Sequence, residues 1–371
     1  MAMLRAIFRD RRFAPILIRH EERMKAVVFE SVMNCKVCEV PTPDISEGGI
    51  LLRVLACGLC GSDLRTIRSG HKNVTPPWIL GHEICGQVEH VSEPFQNMYS
   101  VGDRLAVGPV VYDPMDPFCI DGKHELSANV REIGQQWNGG LAEYILVPEA
   151  AVECGNVLPV PEALESHHAA LVEPASSVIH AHEKAHTGLG DSVLILGAGP
   201  IGCLHVDVAR ACGASNVIVS DINDARLSLV EAFEPDMIVN ARSENLEDVI
   251  ATTTNGRGID VVITANPSPD SQIQAVRLAA KGGRVVLFGG LPHDQSTPGI
   301  DTNIVHYQNL SLIGVSRFAP RHFRTSLQLI SSGQIRANKI ISQRLPLERF
   351  QDGLDKALAG AVLKIVFEPN T

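Results

Sequence analysis

Four side chains have types and spacings that suit a catalytic metal: Cys60 in Cys57-Gly58-Leu59-Cys60-Gly61-Ser62-Asp63, His82 and Glu83 in Gly81-His82-Glu83, 22 residues on, and Glu173 in Leu171-Val172-Glu173-Pro174. One thiolate, one imidazole and one carboxylate leave a position of tetrahedral zinc open for a reacting oxygen, whereas four cysteines close it. A second spacing competes for Cys60. Cys35-x2-Cys38, eighteen residues, then Cys57-x2-Cys60 has the form of a zinc ribbon. Zinc knuckles sit on tight turns, and Cys35-Lys36-Val37-Cys38 is strand-like text leading into Pro41, which favours the open site. Taken singly, His82-Glu83 also reads as a surface pair, and Glu173 as a carboxylate favoured at a helix N-terminus.

A second chemistry-bearing run is Val193-Leu194-Ile195-Leu196-Gly197-Ala198-Gly199-Pro200-Ile201-Gly202, a buried strand entering Gly-x-Gly-x-x-Gly. Gly197 permits the turn, Gly199 lets the backbone approach a pyrophosphate, and Gly202 lets the helix pack closely on the strand. The helix N-terminus offers free N–H groups to the phosphates. Asp221, nineteen residues after Gly202, ends the next strand. A carboxylate there accepts hydrogen bonds from ribose hydroxyls and repels a 2′-phosphate. No Arg stands at 222 or 223, so NAD rather than NADP is expected.

The elements that must position these groups fall into two patterns. Residues 24–174 read as β-rich, with short apolar runs at 50–55, 87–91, 104–107 and 142–147 separated by Gly, Pro, Asp and Ser. Residues 175–316 alternate strand and helix: strands near 193–196, 217–220, 259–263, 284–288 and 310–313, helices near 200–212, 224–233 and 271–280. That alternation implies a parallel sheet covered on both faces. Residues 317–371 carry a helix near 321–332 and end in the strand Lys364-Ile365-Val366-Phe367, returning to the first unit. The fold class is therefore α/β, a β-rich catalytic domain plus a doubly wound cofactor domain. Residues 1–23 are Arg-rich and read as an N-terminal extension, with Met24 opening the first strand.

Composition narrows the function classes. The chain has 371 residues, 32 basic against 42 acidic, for a net charge of −10. A nucleic-acid partner acting through a broad basic surface is not expected. No apolar run approaches the ~18 residues that span a bilayer, so no membrane partner is expected either. Nine cysteines, an odd number, suit a reducing compartment, and the expected location is the cytoplasm.

Cys60-Gly61-Ser62-Asp63, Gly81-His82-Glu83, Gly102-Asp103-Arg104, Gly139-Gly140-Leu141-Ala142-Glu143-Tyr144, Glu173-Pro174 and Gly197-x-Gly-x-x-Gly202 together resemble the medium-chain zinc-dependent alcohol dehydrogenases over residues 24–371. Glu173-Pro174 and Gly314-Val315-Ser316-Arg317-Phe318 resemble the polyol branch, which includes sorbitol and threonine dehydrogenases. The resemblance implies a GroES-like catalytic domain and a Rossmann cofactor domain. It implies one catalytic zinc per subunit on Cys60, His82 and Glu83 or Glu173, with Glu173 also at the catalytic centre and Ser62 as first proton acceptor. It implies cofactor contacts at Gly197, Gly199, Pro200, Ile201, Gly202, Asp221, Arg226, Val315 and Arg317, and a substrate contact at Arg317; Arg65, which departs from the pattern, is expected instead to contact a phosphate or carboxylate of the substrate or cofactor. The implied reaction is oxidation of a polyol or sugar-derived secondary alcohol to a ketone by NAD. A phosphorylated polyol, a sugar acid or an amino alcohol such as threonine is the alternative substrate. A homodimer or homotetramer is implied. The chain departs from the pattern in two places. The segment Asp113–Ser127, where relatives carry a four-cysteine zinc, holds only Cys119, so a closed thiolate site cannot form there. Arg65 stands where relatives often place a proton-relaying His, and a guanidinium does not deprotonate in proteins.

Overall fold

The structure, a computed structural model, describes residues 22–370. Residues 1–21, most of the expected extension, lie outside the described residues. The first strand, Arg23–Ser31, starts one residue before Met24 because Arg23 pairs with Pro41 in the antiparallel hairpin to Asn34–Pro41. Cys38 faces Ala26 and Cys35 faces Phe29 in that ladder. Both are strand residues, and the ribbon spacing has no knuckle at this end.

The catalytic-side sheet is ordered Val157–Pro159, Arg104–Val107, Glu83–Val91, Ile50–Gly58, Lys364–Phe367, Ile341–Leu345, with Tyr144–Val147 also on Ile50–Gly58. Its register brings distant sequence together: Gly58 faces Glu83 on one side and Val366 on the other. The last strand of the chain thus lies beside the turn that carries Cys60.

The cofactor sheet is six parallel strands ordered Met237–Asn240, Asn216–Asp221, Ser192–Leu196, Ile259–Thr264, Ala279–Leu287, Ser311–Gly314. Strands covered by helices on both faces are continuous apolar runs rather than alternating ones. Val193, Leu194 and Ile195 are accordingly 0% exposed, each contributing about 1.5–3 kcal/mol by burial. The strand order reverses at Ser192–Leu196, and ligands bind at such a switch point outside the C-terminal strand ends.

The expected division at 174/175 falls inside one continuous helix, Val172–Lys184. Pro174 lies in its first turn, where a missing N–H costs nothing. The helix packs on Pro200–Ala211 and Pro320–Ser331, so it joins the two units. The segment around 113–128 is closed by a carboxylate. Asp116 Oδ1 accepts from the Phe118 N–H at 2.8 Å, and Oδ2 accepts from the Ala128 N–H at 2.8 Å. No helix among the described residues is long and apolar enough to cross a membrane.

Candidate active site

Cys60 is the N-cap of the helix Gly61–Ser69. Its Sγ, a ring nitrogen of His82 and a carboxylate oxygen of Glu83 lie within 4.8 Å of one another, the one such group among the described residues. Asp63, 3% exposed, stands behind them. Its Oδ2 accepts the Cys60 N–H at 3.0 Å, and its Oδ1 lies 3.3 Å from His82 Nδ1 and 3.4 Å from the Gly81 N–H. Burial opposes the charge of Asp63, but His82 and the two N–H groups hold its carboxyl below the usual range. With Nδ1 donating to Asp63, His82 turns Nε2 toward the cluster, 3.3 Å from Ser62 Oγ, an assignment of the tautomer from its partners. Such an arrangement would orient an imidazole for a metal. One thiol, one imidazole and one carboxylate with that support fit zinc with an open position. Asp63→Asn should lower zinc affinity or kcat/KM about 10–100-fold, read by retained zinc after graded chelator dialysis. Unchanged retention and turnover would remove Asp63 from the site.

Glu173 is not a member of the three-donor cluster. It sits in the first turn of Val172–Lys184, beside the cluster. Burial raises its carboxyl to about 7, with the Glu83 charge adding and the His82 and Lys364 charges opposing. Glu83 is fully buried, and both its oxygens are held by Lys364 Nζ, at 2.6 and 2.9 Å.

The glycine loop leaves room for a diphosphate. Gly197 has φ 121°, a region that side chains avoid, and a Cβ on Gly202 would meet the Gly197 carbonyl at 1.9 Å. A Cβ on Gly199 would meet nothing, so the open space at the loop fits a pyrophosphate. Pro200 and Ile201 open the helix Pro200–Ala211. Asp221 is fixed by backbone donors: Oδ2 accepts from the Ala198 N–H at 2.8 Å, and Oδ1 from the N–H groups of Ile222 and Asn223 at 2.7 and 2.9 Å. Its remaining lone pairs are the ones available to a ribose.

The other expected residues lie on several separate elements. Arg226 lies in the helix Asp224–Val230 with its guanidinium against Gly360. Arg65 is exposed on Gly61–Ser69 and makes no hydrogen bond or ion pair among the described residues. Val315 is half-buried just past the edge strand Ser311–Gly314. Arg317, at φ 61°, pairs its Nε with Glu132 Oε1 at 2.8 Å. The loop is pinned from below: His180 Nδ1 donates to the Arg317 carbonyl at 2.8 Å, and the Tyr112 hydroxyl donates to the carbonyl of Phe318.

The sequence reading missed Asp63, Lys364 and Glu132. Asp63 was readable as the third residue after a helix N-cap, where a carboxylate reaches back to the cap N–H. Lys364 was readable as a lone cation opening the apolar run Ile365-Val366-Phe367. Glu132 has no signal in one sequence, because its partner lies 185 residues away.

Two family models match the chain: an alcohol dehydrogenase GroES-like domain over residues 46–162 and a zinc-binding dehydrogenase domain over residues 200–332. The chain is 30% identical over 355 residues to sorbitol dehydrogenase of Bacillus subtilis, covering 94% of this chain and 98% of that one. It is 29% identical over 338 residues to D-arabitol-phosphate dehydrogenase of Enterococcus avium, covering 90% and 93%. Among solved structures, a putative zinc-binding dehydrogenase of Sinorhizobium meliloti bound to NADP superposes with a TM-score of 0.86 at 31% identity, covering 94% of this chain and 100% of that one.

Proposed function

Because the chain belongs to the zinc-dependent medium-chain alcohol dehydrogenase family, polyol branch, we propose that it oxidises a secondary hydroxyl of a polyol or sugar derivative to a ketone, with Cys60, His82 and Glu83 or Glu173 holding its one zinc and NAD as its cofactor. When bound, zinc supplies Lewis acidity that lowers the pKa of an alcohol, and the nicotinamide supplies the hydride acceptor. The protein's own groups do the rest. His82 is oriented by Asp63, so its Nε2 is aimed before any ligand arrives. Ser62 Oγ, exposed and 3.3 Å from His82 Nε2, takes the hydroxyl proton and passes it toward solvent. Arg65, one turn on, stays charged and cannot continue that relay as a base. The free N–H groups at Pro200–Ala211 receive the pyrophosphate, and Asp221 receives the ribose hydroxyls.

The observation that carries this reading is the three-donor cluster with Asp63 behind it. Its test is a panel read as NADH absorbance: ethanol, 2-butanol, sorbitol, xylitol, myo-inositol, a sugar-alcohol phosphate and a sugar acid. A polyhydroxylated substrate should lead, because a pocket built to bond several hydroxyls is left with unpaired polar groups by an alkanol. Alkanols turned over as efficiently as every polyol would end the polyol reading. Metal analysis should find one zinc per chain, since the segment closed by Asp116 keeps a single thiol, Cys119. Two tightly held zincs would contradict that. Comparing kcat/KM for the two dinucleotides should favour NAD, because a carboxylate at Asp221, at the end of the strand after the glycine loop, would repel a 2′-phosphate, and Ile222 and Asn223 follow it in place of an Arg. Preference for NADP would contradict the role given to Asp221.

A cytoplasmic location belongs to the same reading, supported by nine free cysteines. So does a homodimer or homotetramer. The edge strand Ser311–Gly314 pairs on one side only, and Leu312 and Tyr307 near it are 40% and 76% exposed.

A further inference from the structure

The Glu132–Arg317 ion pair bridges the two places between which a hydride must pass. Glu132 lies on the short strand Arg131–Glu132. Two residues on, Gly134 abuts Gly81, where a Cβ would stand 3.4 Å from the Gly81 carbonyl, and Gly81 immediately precedes His82. Arg317 follows the C-terminal end of Ser311–Gly314, the sheet edge at which a parallel sheet binds its ligands. Glu132 is also near enough to Glu173 for its charge to act on that carboxyl, so the pair stands as a wall between the metal donors and the ligand-binding edge of the cofactor sheet.

The wall is built rather than accidental. Glu132 Oε1 takes Arg317 Nε at 2.8 Å, and Oε2 takes Gln135 Nε2 at 2.5 Å. Gln136 Oε1 accepts the Glu132 N–H at 2.7 Å. Arg317 is held in a left-handed backbone conformation with its carbonyl on buried His180. The Nη groups of Arg317 make no hydrogen bond to the described residues. A carboxylate or phosphate seeks the two-pronged face of a guanidinium, but on the Nε side that face is taken. The remaining Nη donors beside the carboxylate oxygens of Glu132 offer a donor and an acceptor side by side, which suits a vicinal diol.

We propose that Glu132 sets the charge specificity of the cleft: by pairing with Arg317 it fits the wall to an uncharged polyol and rejects polyols that carry a carboxylate or phosphate. The inference rests on the polyol dehydrogenase reading and narrows its substrate class. A like charge placed against an incoming anion costs several kcal/mol, so exclusion by a fixed carboxylate is an effective filter. Glu132 acts through Arg317 and is a positioning residue; its signature is a change of preference between substrates.

The test is kcat/KM for xylitol, sorbitol and myo-inositol against sorbitol 6-phosphate and gluconate, with wild type, Glu132→Gln and Glu132→Asp. Wild type should prefer its best neutral polyol over either anion by about 100-fold. Glu132→Gln should narrow that ratio by about tenfold through a gain on the anions, and Glu132→Asp, which keeps the charge, should hold most of it. Each ratio is taken on one sample, so a reduced folded fraction cancels. A wild type that favours an anion, or a Glu132→Gln ratio within twofold of wild type, overturns the inference while leaving the polyol reading standing. If no polyol, neutral or anionic, surpasses ethanol and 2-butanol, the polyol reading falls and this inference with it.

Discussion

Lys364→Met should destabilise the protein by about 3–5 kcal/mol, the cost of leaving a buried charge without its partner. Lys364 is 2% exposed and Glu83 is fully buried. The ammonium sits 2.6 and 2.9 Å from the two carboxylate oxygens and 3.2 Å from the Leu59 carbonyl. Burial alone would lower the Lys364 pKa, but Glu83 and Cys60 outweigh it and hold the group charged. Met keeps the volume of the stem and removes only the charge, so the loss reports the stranded Glu83 rather than a cavity. The measurement is urea unfolding of chelator-treated protein, which keeps metal binding out of the comparison. Glu83→Gln combined with Lys364→Met should recover more than half of the loss, because a neutral amide is far cheaper to bury than a carboxylate. A single-variant loss below about 1 kcal/mol would show that Glu83 finds another partner or reaches solvent.

The donors of this site were legible in sequence because metal chemistry restricts them to a few residue types, and turn chemistry marks where they sit. Cys60 and His82 stand beside Gly61 and Gly81, at chain reversals the text announces. The glycine loop was legible for the same reason, since a strand, a turn and a helix each leave a local mark. What holds the donors was not legible. Lys364 reaches Glu83 through a strand pairing 281 residues away in sequence, and no local pattern encodes that distance. The helix Val172–Lys184 was legible only at its start, where Glu173 reads as a carboxylate favoured at a helix N-terminus; its continuation past the expected division at 174/175 was not read, although a proline in a first turn is permitted. Met237–Asn240 is a four-residue strand. It is recognisable only once its neighbour Asn216–Asp221 supplies the ladder.

The same joining helix makes the protein acid-labile, with stability expected to fall as pH drops below about 6.5. His180 and His182 on Val172–Lys184, His205 on Pro200–Ala211 and His322 on Pro320–Ser331 are each 1% exposed or less. Burial lowers all four below the ordinary imidazole value, His182 and His322 to about 4. The partners of His182, His205 and His322 suit the neutral form, whereas His180 Nε2 lies 3.6 Å from Glu125 Oε1, a carboxylate that opposes the effect of burial there. His322 Nδ1 accepts the Ala319 N–H at 2.9 Å while Nε2 donates to Glu183, which Arg321 also holds. His182 Nε2 and His205 Nδ1 are 3.1 Å apart and share one proton, with Thr187 Oγ1 on the far side of His182. A folded pKa below the unfolded one means that the unfolded chain takes up protons first. The stabilisation is therefore complete above about pH 6.5 and is lost as pH falls toward 4. At about 1.4 kcal/mol per pH unit and group, His182 and His322 together forfeit about 6 kcal/mol over that range. Unfolding midpoints measured from pH 8 to pH 4 should stay level to about 6.5 and then descend. His322→Gln, which can still accept from Ala319 and donate to Glu183, should make the descent shallower by about one proton. A midpoint unchanged between pH 7 and pH 5 would mean that these imidazoles take up protons in the fold as readily as in the unfolded chain. Because three packed helices carry them, protonation should part the cofactor sheet from the catalytic side before either core melts, so loss of cofactor binding should precede loss of helical signal.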